Sequence, residues 1–125
     1  MEAFTQRVEV ALNDAQHSAQ MLHHAELKPL HVLAAFFDMN ESLAVDFANQ
    51  HSVLPQVRGR LKTAIVDLPR LGHSASEIRM SSDLVGVLAA ARKYSERAGD
   101  RYVPEEWVLL ALVVVLLKPW LVVLL

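Results

Sequence analysis

The second half of this chain repeats the first, and that constrains its fold more than any single motif does. Shifting the sequence by 76 residues without a gap lays Met80, Leu84, Leu88, Ala91, Ser95 and Ala98 on Phe4, Val8, Leu12, Ala15, Ala19 and Leu22. The same shift lays Val103 on Leu27, Trp107 on His31, Val108 on Val32, Leu109 on Leu33 and Ala111 on Ala35. Five of the 34 aligned pairs are identical (Leu12/Leu88, Ala15/Ala91, Val32/Val108, Leu33/Leu109 and Ala35/Ala111), so register rather than identity carries the repeat. Two separate apolar stripes and the loop between them match with no insertion. Such a repeat predicts two similar supersecondary units packed face to face.

Within each unit the apolar spacing is helical. Phe4, Val8, Leu12, Ala15, Ala19 and Leu22 follow steps of three and four, which places them on one helix face behind Thr5 as N-cap. Gln6, Arg7, Glu9, Asn13 and Gln16 form the solvated face. A polar break at His23 and His24 reads as a solvated helix end. Lys28-Pro29 then opens a second helix with Leu30, Val32, Leu33, Phe36 and Phe37, the proline suiting a first turn where its missing N–H is harmless. Ser42 caps a short third helix, Leu54-Pro55 opens a fourth, and Pro69 ends it. Residues 70–79 read as a linker, after which Ser81, Ser82 and Asp83 offer caps for the next helix. The organisation expected is one domain over residues 1–125: repeat one at 3–69, linker at 70–79, repeat two at 80–113, and an apolar tail at 114–125.

Composition narrows the function classes. With 12 basic and 14 acidic residues the net charge is −2, so nothing in the charge balance favours nucleic acid. There is no cysteine, which excludes thiolate chemistry. The first 22 residues carry Glu2, Arg7, Glu9 and Asp14 and no apolar signal core, so a cytoplasmic location is expected. Glycines 59, 72, 86 and 99 are isolated and form no phosphate-binding loop. No nucleophile–base pair stands at a useful spacing, and the six histidines have no cysteine or close carboxylate to complete a zinc set. No catalytic residue, metal ligand or cofactor is expected on this chain.

The segments Phe4-Thr5-Gln6-Arg7, Leu12-Asn13-Asp14-Ala15-Gln16 and Leu27-Lys28-Pro29-Leu30-His31-Val32-Leu33-Ala34-Ala35 resemble the first repeat of a Clp N-terminal domain. Met80-Ser81-Ser82-Asp83-Leu84, Ala98-Gly99-Asp100-Arg101-Tyr102-Val103 and Glu105-Glu106-Trp107-Val108-Leu109-Leu110-Ala111-Leu112 resemble the second. The Pro-Leu-His opening of helix two and the long linker after Leu68-Pro69 lean toward the ClpB-type disaggregase branch. The resemblance covers residues 3–113. It implies an all-α fold of two tandem pseudo-symmetric four-helix repeats, about eight helices in the family. It also implies a stress-response chaperone role: binding unfolded or aggregated polypeptides and delivering them to AAA+ ATPase modules, hexameric in the family, that are not on this chain. The positions that match the family's polar patch and apolar groove are Thr5, Asp100 and Glu106, with Leu88 and Trp107.

The residues themselves are compatible with that role and with a plainer one. Gly99 permits a left-handed helix end, and carboxylates at Asp100 and Glu106 suit the start of the following helix. Thr5, Asp100 and Glu106 can equally be helix caps and nothing more. Trp107 can be core or groove and suits an amphipathic rim position, whereas core is the commoner fate for Leu88.

The tail departs from the repeat. Repeat one spends residues 38–69 on two further helices, and repeat two has only twelve residues after Val113, so it is expected to be incomplete. Residues 107–125 approach the length of a membrane span, but Lys118-Pro119 interrupts the run. The alternative function is therefore a structural or assembly module whose apolar C-terminus mediates oligomer or membrane contact.

Overall fold

A computed structural model of the chain describes residues 4–73 and 77–124, the stretch 120–124 by backbone course alone. Part of the expected linker (74–76) and of the tail (Leu125) lies outside the described residues. The elements in chain order are α1 (Gln6–Met21), β1 (Glu26–Leu27), α2 (Pro29–Asp38), α3 (Leu43–Gln50), α4 (Leu54–Val66), β2 (Arg79–Met80), α5 (Ser82–Ala98) and α6 (Glu105–Leu124).

The repeat is reproduced at the helix starts. α1 opens at Gln6 and α5 at Ser82, α2 at Pro29 and α6 at Glu105, each pair separated by the same 76-residue shift. Two-residue strands, which an all-helical reading does not contain, join the halves crosswise. Leu27 of repeat one pairs in parallel with Met80 of repeat two. Their counterparts, Val103 and Phe4, form a second parallel bridge. The hydrogen bonds follow suit: the Ser81 N–H donates to the Leu27 carbonyl at 2.9 Å and the Thr5 N–H to the Val103 carbonyl at 3.1 Å. These short extended pieces pair backbone groups beside Leu27, Phe4 and Val103, whose side chains are buried in the core.

One core runs through both repeats, with Val8, Ala15, Phe36, Leu84, Ala91 and Leu112 among its buried residues. Alanines at 11, 15, 19, 91 and 111 keep the crossing helices close, because a small side chain lets backbones approach. Gln6, Arg7, Glu9, Asn13 and Gln16 face solvent as the periodicity requires. Ser42 and Ser81 cap their helices by accepting the N–H groups of Val45 and Leu84 at 3.1 and 3.2 Å. Thr5 occupies the N-cap of α1 without a side-chain cap bond. Gly99 ends α5 in the left-handed region at φ +79°.

Repeat two has no counterpart of α3 and α4 among the described residues, and α6 runs on where α2 stops. The local sequence explains this. α2 ends at Asp38 and the chain turns through Met39-Asn40-Glu41-Ser42, whose serine caps the next helix. The aligned residues Val115-Leu116-Leu117-Lys118 contain neither a turn former nor a cap. The helix also continues through Pro119, although a proline there removes the bond to the carbonyl four residues earlier. Among the described residues no helix is long and apolar enough to cross a membrane.

Candidate functional site

The two repeats meet along a groove of about 490 Å³ lined by Phe4, Glu9, Leu12, Asn13, Met80, Val85, Leu88 and Arg92. It is built from equivalent positions of α1 and α5. Phe4 and Met80 are repeat partners, and so are Leu12 and Leu88. Leu88 forms its floor, buried in the core, while Met80 and Val85 are exposed on its walls. The Arg92 guanidinium lies over the Phe4 ring, 5.2 Å from its centroid, at the cation–π distance. Glu9, Asn13 and Arg92 give the groove a polar edge. A larger concavity of about 740 Å³ lies between α1, α2 and α4. Asp14, Asp38, Arg58 and Lys62 stand around it, and Arg58 is committed to the Phe37 and Met39 carbonyls at 2.7 and 3.2 Å.

Of the five sequence-predicted positions, Leu88 lines this groove and Thr5 follows Phe4 at its edge in sequence. Asp100 and Trp107 come together elsewhere: the Trp107 indole N–H donates to the Asp100 carboxylate at 2.6 Å. Gly99 makes the pairing possible by turning the chain between α5 and α6. Trp107 is half-buried against the core, with the Tyr94 ring 6.0 Å away. Glu106 is exposed in the first turn of α6. Thr5, Asp100, Glu106 and Trp107 are not among the groove-lining residues.

Two polar arrangements escaped sequence reasoning. Glu105, beside the predicted Glu106, is buried, and its carboxylate accepts the N–H groups of Leu43 and Ala44 at 2.9 and 3.3 Å. A carboxylate from repeat two thus caps the N-terminus of α3 in repeat one, with the Arg7 guanidinium 3.7 Å away. The second arrangement overturns the reading of His24 as a solvated helix end. His24 is 2% exposed and its Nδ1 lies 2.8 Å from Nε2 of His31, also buried. The Lys28 N–H donates to His31 Nδ1 at 2.9 Å, so the His31 proton sits on Nε2 and is donated to His24 Nδ1. The remaining His24 proton is then on Nε2, a buried atom without a partner among the described residues. Burial, helped by the neighbouring His24 and Lys28, lowers the His31 pKa to about 4. Burial, followed by Arg70 and Lys28, lowers that of His24. Among the described residues no group of three or more His, Asp or Glu side chains is placed to hold a metal ion.

Comparison with known proteins agrees with this architecture. The family described as the Clp repeat (R) N-terminal domain matches residues 3–115. The chain is 33% identical over 119 residues to the chaperone protein ClpB of Rhodopseudomonas palustris, covering 90% of this chain and 13% of that protein. It is 30% identical over 104 residues to the chaperone protein ClpB of Dichelobacter nodosus, covering 82% of this chain and 12% of the relative. The chain therefore spans roughly an eighth of the length of these relatives. Among solved structures, the Hsp104 N-terminal domain from Candida albicans superimposes with a TM-score of 0.70 at 26% identity, covering 89% of this chain and 73% of that one. The N-terminal domain of the ClpV1 ATPase from E. coli shares the fold with a TM-score of 0.80 at 20% identity, covering 88% of this chain and 67% of that one. The crossed repeat, the six helices and the match over residues 3–115 lead to one conclusion: this chain belongs to the Clp N-terminal repeat domain family, homologous to the N-terminal domains of ClpB and Hsp104.

Proposed function

We propose that the domain binds unfolded or aggregated polypeptide segments and presents them to AAA+ ATPase modules of a longer parent protein, and that it is not an enzyme by itself. The observation that carries this reading is the apolar groove where the repeats meet. Phe4, Leu12, Met80, Val85 and Leu88 offer an open hydrophobic surface with a polar edge at Glu9, Asn13 and Arg92. Unfolded chains present short apolar segments without a fixed shape, and a shallow apolar surface of this kind accepts them without demanding one sequence. Thr5, Asp100, Glu106 and Trp107 form the polar, amphipathic part of the proposed site by family resemblance. The Asp100–Trp107 bond supports a fixed indole orientation there.

The test is titration of the chain with a reduced, carboxymethylated model protein, followed by fluorescence anisotropy at two salt concentrations. Weak, saturable, salt-tolerant binding is expected. Met80→Ser and Val85→Ser are exposed and leave the core intact, and each weakens binding several-fold with no change in melting temperature. Trp107→Ser probes the amphipathic part, with its melting temperature measured alongside because Trp107 also packs against the core. Leu88→Ser is the less clean variant, because Leu88 is also core. Absence of saturable binding, or binding indifferent to Met80 and Val85, refutes the groove as the site.

A further inference from the structure

We propose that the concavity between α1, α2 and α4 is a second binding site, which seats a tryptophan or tyrosine side chain of a partner polypeptide. It shares no lining residue with the groove where the repeats meet, and the inference is independent of that groove.

The internal repeat says what belongs in this space. In repeat two the Trp107 indole N–H on α6 donates to the carboxylate of Asp100, seven residues earlier, at 2.6 Å. Under the 76-residue shift these positions are His31 and His24, whose rings are joined at 2.8 Å, again seven residues apart. The two polar pairs are counterparts, and the chain takes the same course at both. The filling around them differs. Repeat two sets the Tyr94 ring beside Trp107, with centroids 6.0 Å apart, in the seam between α5 and α6. The counterpart of Tyr94 is Ser18, and the counterpart of the two-ring indole is the single imidazole of His31. Ser18 and His31 both line the concavity, which leaves about 740 Å³ open. Repeat one therefore has a small hydroxyl and an imidazole where repeat two packs a phenol and an indole.

The walls suit the missing ring. α4 closes the far side with Leu61 and Ile65. Met21 and Met39 add thioethers, flexible groups that pack well against aromatic edges. The carboxylates of Asp14 and Asp38, both exposed, stand among the lining residues as acceptors. They offer an incoming indole N–H or phenol O–H the partner that Asp100 gives Trp107 in repeat two, which selects tryptophan and tyrosine over phenylalanine.

The shape of the opening says that the ring arrives on a polypeptide. Pockets for free small molecules enclose most of their ligand. Here Met21 and Val66 are 67% and 45% exposed although they line the concavity. A ring seats inside while the backbone that carries it runs across these two side chains.

The test is amide chemical-shift titration of the whole chain with acetyl-Ala-Ala-Trp-Ala-Ala-amide. Saturable shifts at Ser18, Gly59 and Leu61 are expected, with a dissociation constant on the order of 1 mM or below, as one buried side chain supplies. The same peptide with leucine in place of tryptophan is expected to bind about fivefold more weakly or worse. Free indole, which has the ring and the N–H but no backbone, is also expected to bind several-fold more weakly than the peptide. Ser18→Tyr places the repeat-two residue in the seam and is expected to abolish binding with no loss of melting temperature. Val66→Ser, at an exposed wall position, is expected to weaken binding several-fold in a chain that folds normally, and Met80→Ser in the other groove to leave it unchanged. No saturation by about 10 mM, a dissociation constant some two decades above that of a micromolar site's upper range, overturns the proposal. So do shifts centred on Leu12 and Val85, equal binding of the leucine peptide or of free indole, or full binding by folded Ser18→Tyr and Val66→Ser.

Discussion

The carboxylate of Glu105 accepts the backbone N–H of Leu43 at 2.9 Å, 62 residues away along the chain. It accepts that of Ala44 as well, so one side chain at the start of α6 satisfies two orphan donors at the start of α3. Glu105→Ala leaves both donors without their acceptor, that of Ala44 in a buried setting, and is expected to lower unfolding free energy by about 1–3 kcal/mol. Glu105→Gln, which keeps one acceptor oxygen, costs roughly half as much. Arg7→Ala costs less than about 1 kcal/mol, because Arg7 is half exposed and the pair is water-screened. Urea denaturation of the three variants gives this order or refutes the cap.

Acid sensitivity follows from the histidine pair. Both pKa values lie below the ordinary 6.5 in the folded chain, so the unfolded chain binds more protons as pH falls. The stabilisation is complete above about pH 6.5 and is lost as the pH drops toward the His31 value of about 4. The His31 shift corresponds to a loss on the order of 3 kcal/mol across that window. Protonating His24 Nδ1 or His31 Nδ1 sets donor against donor, which is the structural form of the penalty. Denaturant titrations at pH 7 and pH 5 are expected to show a clear drop for the native sequence and a flatter response for His31→Gln. Equal slopes would remove the pair from the account.

Thr5 and Ser81 are repeat partners at equivalent N-caps, but only Ser81 makes a side-chain cap bond. Ser81→Ala should therefore cost about 1 kcal/mol and Thr5→Ala a few tenths. If Thr5 contributes to polypeptide binding, Thr5→Ala weakens the anisotropy signal with its melting temperature unchanged. A stability loss equal to that of Ser81→Ala would make Thr5 a cap instead.

Gly99 and Asp100 carry the turn that brings Trp107 into place. An added Cβ at Gly99 meets nothing within 4 Å, so the cost of Gly99→Ala is the backbone strain at φ +79° alone, roughly 1 kcal/mol. Asp100→Ala removes an exposed charge-assisted bond and is expected to cost about 1 kcal/mol or less. It should also shift the indole emission, whereas Gly99→Ala in a well-folded sample should shift it less.

Much of the fold was legible because it rests on periodicity. The 76-residue register located four helix starts, and Ser42, Ser81, Pro29 and Gly99 announced their caps by local chemistry. What was not legible depends on contacts between distant segments. Glu105 looked like its neighbour Glu106, a dipole-complementing acid at a helix start, and only the packing of α3 against α6 separates their roles. His24 sits at a helix end where histidine is usually solvated. Its burial comes from α2 and from the chain around Leu68 and Pro69 folding over it. The tail reads from sequence only as an apolar stretch interrupted at Lys118-Pro119, whereas the missing turn residues between Val115 and Lys118 are the signal that the helix continues. For the site, Leu88 could be placed from the register, but Met80 and Val85 emerge as groove walls only once both repeats line one concavity.

The crossed extended segments have a consequence for how the molecule comes apart. Phe4 of the first half is seated by Val103 of the second, and Met80 of the second by Leu27 of the first. Each half holds the latch that closes the other, so neither is finished alone. Heating or denaturant should release both in a single cooperative step, and a chain cut once between the halves should keep its two pieces clasped until that same step.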